Sequence, residues 1–269
     1  MASTIKVNTL DTQTGTELAL AATKKITGDN TQFKITGGAS TNVLTTDGSG
    51  ALTWGAIAAG FTGVHTDVTS GSEIYTVPTG VTKLLVIITG AGGGGAAGET
   101  AIGNCGVGGA GGTTVMARVT VVAADTITIA IGAGGSGGAS ASAIGVVGGD
   151  STFTHASGSG TGLMSTITAP GGRPGKHEAA TDALVAGTVG ANNEGISILG
   201  GYGSRGYSHP SGNGGPTFWG GGGQGALNGD QVSVAGTAYG SGGGGGTNSG
   251  VYIVGAAGAV GVCFILEFK

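Results

Sequence analysis

Large, chemically versatile side chains gather at one place in the later part of this chain. Tyr202, Arg205, Tyr207, His209, Phe218 and Trp219 lie within eighteen residues, separated by glycines. Tyrosine and tryptophan give large contact area at little entropic cost and stack on sugar rings. Arg205 adds a planar donor suited to phosphate or carboxylate. The set expected to contact a sugar or an acidic group is therefore Tyr202, Arg205, Tyr207, His209 and Trp219. The bland reading of the same stretch is that Phe218 and Trp219 cap a bundle of glycine segments.

Other candidate chemistry is weak. Gly90-x-Gly92-x-x-Gly95 follows an apolar run, the context of a dinucleotide fingerprint. No helix-forming run follows it, and no acidic residue closes a second strand about 20 residues on. Gly175-Lys176 suggests a phosphate loop, but Pro170 stands at the first glycine position and His177 replaces Ser/Thr. His65, His155, His177 and His209 lack metal-ligand spacing, and each reads as a lone surface histidine. Cys105 and Cys263 form no metal motif. Cys263 reads as a buried thiol and Cys105, between glycines, as an exposed one. A disulfide between them is left open. The expectation is no enzyme, no cofactor and no metal.

What positions these side chains is glycine. The chain holds 64 glycines in 269 residues, against a usual ~7%. They recur three apart at Gly103, Gly106, Gly109 and Gly112; Gly132, Gly135 and Gly138; Gly200, Gly203 and Gly206; Gly240, Gly243 and Gly246; and Gly255, Gly258 and Gly261. A period of three fits neither helix nor strand. It fits the polyproline II helix, with three residues per turn and ~3.1 Å rise. Such a segment makes no internal hydrogen bonds, so buried copies must bond laterally. Glycine on one row of each turn lets backbones approach. Collagen is excluded, since there is no continuous G-X-Y run and only 5 prolines.

The fold class expected is mainly β: short N-terminal strands, then a β-sheet unit carrying polyglycine-II-like segments. The domain reading is 1–58 and 59–269. Ile5 with Val7, and Phe33 with Ile35, have strand period. Asn42–Trp54 reads as a hairpin turning at Asp47–Gly50. Gly55–Gly60 reads as a hinge. Glu73–Val77, Val81–Thr89, Thr113–Val122, Thr126–Ile131 and Gly261–Lys269 read as strands, the last covered on both faces. Between Asp150 and Val254 no regular strand is legible, and Lys176–Val189 is the place for a helical turn. Charged residues are 9% and net charge is −4, which points away from nucleic acid. The longest apolar run suits a strand and not a bilayer. MASTIKVNTL has no apolar signal core, so synthesis in a cytoplasm without a secretory leader is expected.

Two features together resemble a known family. STIKVNTLDTQTG and LTTDGSGALTW are similar to N-terminal segments of bacteriophage tail-fibre and related virion fibre proteins. EIYTVPTGVTKLLVIIT, then GAGGGG, then the closing GAVGVCFILEFK, resemble the glycine-rich domain of phage tail proteins. Ala259-Val260 departs from that family's Ala-Asp or Pro-Asp type of pair, and Arg173–Trp219 has no alignable counterpart. The resemblance implies a homotrimeric, non-enzymatic virion fibre made in the host cytoplasm. Residues 1–58 would attach it to other virion proteins, and the glycine-rich part would meet a host surface glycan or protein. Arg205 would then suit the phosphate or carboxylate of envelope polysaccharide. The alternative is a head fibre or capsid decoration protein without receptor binding. A third reading is a polyglycine-type ice- or surface-binding protein. It needs a flat face of repeated threonine, and the sequence shows no such regular array.

Overall fold

The computed structural model describes residues 42–46, 52–56, 60–99, 104–157, 166–177, 185–189, 193–206, 210–227, 231–248, 250 and 252–269. The patterns at Ile5/Val7 and Phe33/Ile35, the turn at 47–50, and the middle of the 176–189 stretch lie outside them. The chain divides into two compact units, Met1–Ile57 and Ala58–Lys269.

In the first unit β1 (Asn42–Thr46) pairs antiparallel with β2 (Leu52–Ala56), Asn42 opposite Ala56 and Thr46 opposite Leu52. The expected hairpin is there, but Gly55 and Ala56 are strand and not hinge.

The second unit is a two-sheet β structure, with no helix among the described residues. Its strands are β3 (Phe61–Asp67), β4 (Gly71–Thr76), β5 (Lys83–Thr89), β6 (Thr114–Thr120), β7 (Thr126–Ile131), β8 (Ser151–Ser157), β9 (Ile167–Ala169), β10 (Glu194–Ile198) and β11 (Val262–Phe268). One antiparallel sheet has the order β10-β6-β5-β11-β3 and the other β4-β7-β8-β9. Strand alternation supplies the core between them. Leu84, Val86 and Ile88 of β5, Val115 and Val119 of β6, and Ile265 of β11 face Ile127 and Ile129 of β7, Phe153 of β8 and Ile167 of β9. Pro78 and Gly80 turn the chain into β5: Val81 N–H donates to Pro78 O (3.1 Å), and Gly80 takes φ +84°, which favours glycine.

Three strands corrected the reading of the middle of the chain. β8, β9 and β10 all fall where none was legible. β8 shows only Phe153 as a large apolar residue, β9 has three residues, and β10 is an edge strand. β11 is buried on one face only. Its other face, Phe264, Leu266 and Phe268, is half-buried.

The strands continue into glycine rods. β5 runs into 90–98, β7 into 132–138, β9 into 170–176 and β10 into 200–206. Segments 104–113, 143–149 and 253–261 return into β6, β8 and β11. The 90–98 rod shows why the period is three. Gly90, Gly93 and Ala96 donate to Thr113, Ala110 and Val107. Ala91, Gly94 and Ala97 donate to Gly149, Val146 and Ala143. Gly92, Gly95 and Gly98 donate to Ala259, Ala256 and Ile253. All nine bonds measure 2.8–3.1 Å. Its carbonyls accept from three further rods that run parallel to it: Gly135 and Gly138, Gly172 and Gly175, and Gly243 and Gly246. Six neighbours therefore surround one rod, the antiparallel ones accepting and the parallel ones donating. The 240–247 rod also has six neighbours, 90–98, 104–113, 211–217, 221–227, 231–236 and 253–261. Residues 89–98, 105–115 and 240–247 are all buried, yet their backbone polar groups are engaged laterally.

Glycine is required because the rods touch backbone to backbone. A Cβ on Gly106, Gly109 or Gly112 would stand 2.2, 2.0 or 2.1 Å from the carbonyl oxygen of Ala96, Gly93 or Gly90. The register of glycines read from the sequence is thus the register of contact.

Candidate functional site

The 200–206 rod has three rows, and the hydrogen bonds assign each. Gly200 and Gly203 face the 104–113 rod, with Cβ positions 2.2 and 1.9 Å from Gly111 O and Gly108 O. Gly201 and Ser204 donate to Pro216 O (2.7 Å) and Asn213 O (2.8 Å). The third row is left to solvent, and it holds Tyr202, 56% exposed, and Arg205, also exposed. Two of the expected contact residues therefore share one side of one rod, a turn apart. Tyr207 and His209 lie outside the described residues.

Trp219 stands elsewhere. The 200–206 rod runs away from the sheets, and 211–217 comes back, Gly212 bonding Gly106 and Gly215 bonding Gly109. The return covers about 20 Å at ~3.1 Å per residue. Trp219 then sits in a two-residue turn bridged by Thr217 and Gly220. Its Nε1–H donates to Thr89 Oγ1 (2.8 Å), at the point where β5 becomes a rod. Its ring lies 4.9 Å from Phe264 and edge-on to Phe218 at 5.0 Å. It seals the junction of sheet and bundle, while Phe218 stays 49% exposed.

The far end of the bundle holds polar groups that the sequence did not bring together. Asn104 Nδ2 donates to Glu99 Oε2 (2.6 Å) and Asn248 Nδ2 to Glu99 O (2.8 Å). His177 Nδ1 is 3.6 Å from Glu99 Oε1. Both ring nitrogens of His177 and the Tyr252 hydroxyl are buried without a hydrogen-bond partner. Burial pushes the Tyr252 phenol above its ordinary value. No sequence signal marks these residues, because four separate rods bring them together.

The three described histidines are not lone surface residues. His65, in β3, bonds Glu73 Oε1 at 2.5 Å and packs tilted against the Tyr75 ring, centres 5.0 Å apart. His155, in β8, lies 3.7 Å from Asp125 Oδ2 with both side chains largely buried. His177 is buried as described, and His209 lies outside the described residues. No group of three metal-binding side chains occurs among the described residues. Cys263 is buried as expected, but Cys105 is buried too, with Sγ 3.4 Å from Thr247 Oγ1, and neither sulfur is in a disulfide.

Two buried acids set a pH response. Burial, then the hydrogen bond and charge of Glu267, push the Tyr75 phenol far up; its hydroxyl donates to Glu267 Oε1 at 2.8 Å. Burial, then the charges of Asp67 and Glu73, push the Cys263 thiol far up. Both folded values lie above the ordinary values of 10.0 and 9.0. The stability they contribute is complete below those values and is lost as pH rises beyond them. Melting temperature should be flat to about pH 9 and then fall. Cys263→Ala with Tyr75→Phe should flatten the fall, and an unchanged slope in that variant would refute the assignment.

Residues 66–266 match the family described as a glycine-rich domain. No curated protein matches the chain. The match takes in both sheets except Phe61–His65 of β3 and Glu267–Phe268 of β11, and it includes the Arg173–Trp219 stretch that supplies β10 and contributes to three rods. The chain belongs to the glycine-rich domain family.

Proposed function

We propose that this chain is a structural subunit of a bacteriophage virion fibre, most simply of the tail, which contacts the host surface with the far end of its rod bundle. Assembly as a homotrimer and attachment to other virion proteins through residues 1–58 are part of this reading. The resemblance of both ends of the chain to fibre segments supports it. The observation that carries it is the bundle itself. Rods such as 90–98 are bonded on all sides, so the bundle is stiff, and rod ends such as Glu99, Asn104 and Asn248 meet away from the sheets. Loops on a rigid scaffold commonly hold binding function. The exposed Tyr202–Arg205 row leads toward that end.

Arg205→Ala with Tyr207→Ala tests it. Adsorption to host cells should fall at least tenfold, since central Tyr and Arg contacts often cost ~2 kcal/mol or more each. The oligomer mass and melting temperature should not change. Normal adsorption would place the contact elsewhere, and unfolding would make the pair structural.

One observation favours the surface-binding reading. The fold assembles a threonine array that the linear sequence hides. Thr126/Thr128, Thr152/Thr154 and Thr166/Thr168 present threonine on the outer face of neighbouring strands, with Thr128 opposite Thr154 and Thr152 opposite Thr168. Inhibition of ice recrystallisation by the protein, lost in Thr128→Leu with Thr154→Leu, would support that reading; no inhibition rejects it.

A further inference from the structure

The outer faces of the two sheets differ in kind. The four-stranded sheet shows water the threonines just named. The five-stranded sheet shows it large apolar side chains. Ile196, Met116, Ile87 and Phe264 form one cross-strand row, each directly opposite the next. One pleat away, Leu85, Leu266 and Val64 form a second. At the margin Phe61 packs edge-on against Phe268, ring centres 6.1 Å apart. Phe61, Val64 and Ile196 are 57%, 58% and 58% exposed. A depression of about 280 Å³ opens in this face beside Leu85, Arg118 and Phe268.

We propose that this face is where copies of the chain pack against one another. Its charge fits a like partner. Arg118 is neutralised inside its own copy by Glu194, Nη2 to Oε2 2.7 Å, so like faces meet without opposing bare guanidinium groups. Lys83 lies at the margin, where it reaches water. The area also fits. Five strands at ~4.8 Å and seven residues at ~3.3 Å make a face of about 550 Å². Two such faces together exceed the ~1,000 Å² that a specific interface needs. Like faces meet about a twofold axis, so the inference rests on self-association in the fibre reading and not on its threefold count or on host contact.

The test uses the full chain at micromolar concentration. Leu85→Cys and Val64→Cys place a thiol on the face, and Thr128→Cys places one on the threonine face. The natural thiols are buried. A short bismaleimide should link Leu85→Cys and Val64→Cys chains to each other and leave Thr128→Cys chains single. Monofunctional maleimide should label the first two at least tenfold more slowly than the third. Adding Val64→Glu and Ile196→Glu to Leu85→Cys should abolish the link. Fast labelling of Val64→Cys without linking would overturn the proposal. So would slow labelling without linking, which means that the cover is something other than a copy. Sedimentation of the parent separates the two readings. An oligomer without links keeps the fibre reading and rejects this face; a monomer rejects both the assembly and the face.

Discussion

Gly109→Val should strongly destabilise the second unit. Its Cβ would stand 2.0 Å from Gly93 O, an atom of a neighbouring backbone that cannot rotate away. Both rods are enclosed, so relief requires moving one of them by more than an ångström. Three hydrogen bonds close around the contact: Gly93 N–H to Ala110 O (2.9 Å), Gly109 N–H to Gly243 O (2.8 Å) and Gly215 N–H to Gly109 O (2.7 Å). Each buried group left unpaired costs ~1–3 kcal/mol. Overpacking alone costs ~1–3 kcal/mol where side chains can yield, and here none is available to yield. The expected loss is about 4 kcal/mol or more, a size that single changes seldom reach. Gly221→Ala is the control, because a Cβ there meets nothing within 4 Å. It should stay within ~0.5 kcal/mol of the parent. Denaturant midpoints measure both, and equal midpoints for the two variants would show that the glycine register is incidental.

Trp219→Ala should destabilise by about 2–3 kcal/mol, the lower part of the range for an aromatic truncation because the ring is only half-buried. Two effects combine. The ring's packing on Phe264 is lost, and Thr89 Oγ1 loses the indole donor. Thr89 keeps its bond to Thr114 Oγ1 at 2.8 Å, so it is not orphaned. Trp219→Phe keeps most of the packing and should cost ~1 kcal/mol, the net of one hydrogen bond. The same variants separate a structural from a contact role. If the ring seals the junction, host adsorption per folded molecule stays at the parental level in both. A stable Trp219→Ala protein that no longer adsorbs would return Trp219 to the contact surface.

Much of the bundle was legible because its constraint is local. A rod with three residues per turn brings every third residue to the same neighbour, so close packing writes itself into the sequence as glycine at Gly106, Gly109 and Gly112. β5, β7 and β11 were legible for the same reason: strand burial writes apolar residues at every second position or in short runs. β8, β9 and β10 were not. A strand held by its neighbours' hydrogen bonds needs few apolar residues of its own, and Phe153 alone anchors β8 in the core.

The sequence by itself determined the threefold period, the larger strands and the nearness of Tyr202 to Arg205. Tertiary structure decided everything that depends on which rods lie side by side. It sent Trp219 to the sheet end, although it is only fourteen residues after Arg205, because the 211–217 rod runs back the full depth of the bundle. It buried Cys105, which glycine neighbours had suggested was open, because six-neighbour packing encloses even a backbone without side chains. It gathered Glu99, Asn104, His177 and Asn248 from four rods, and it sorted apolar residues and threonines onto opposite outer faces. A lateral hydrogen bond joins residues far apart in the chain and leaves no mark on the residues between them. The spacing along a rod is therefore written in sequence, and the choice of neighbour is made only when the rods pack.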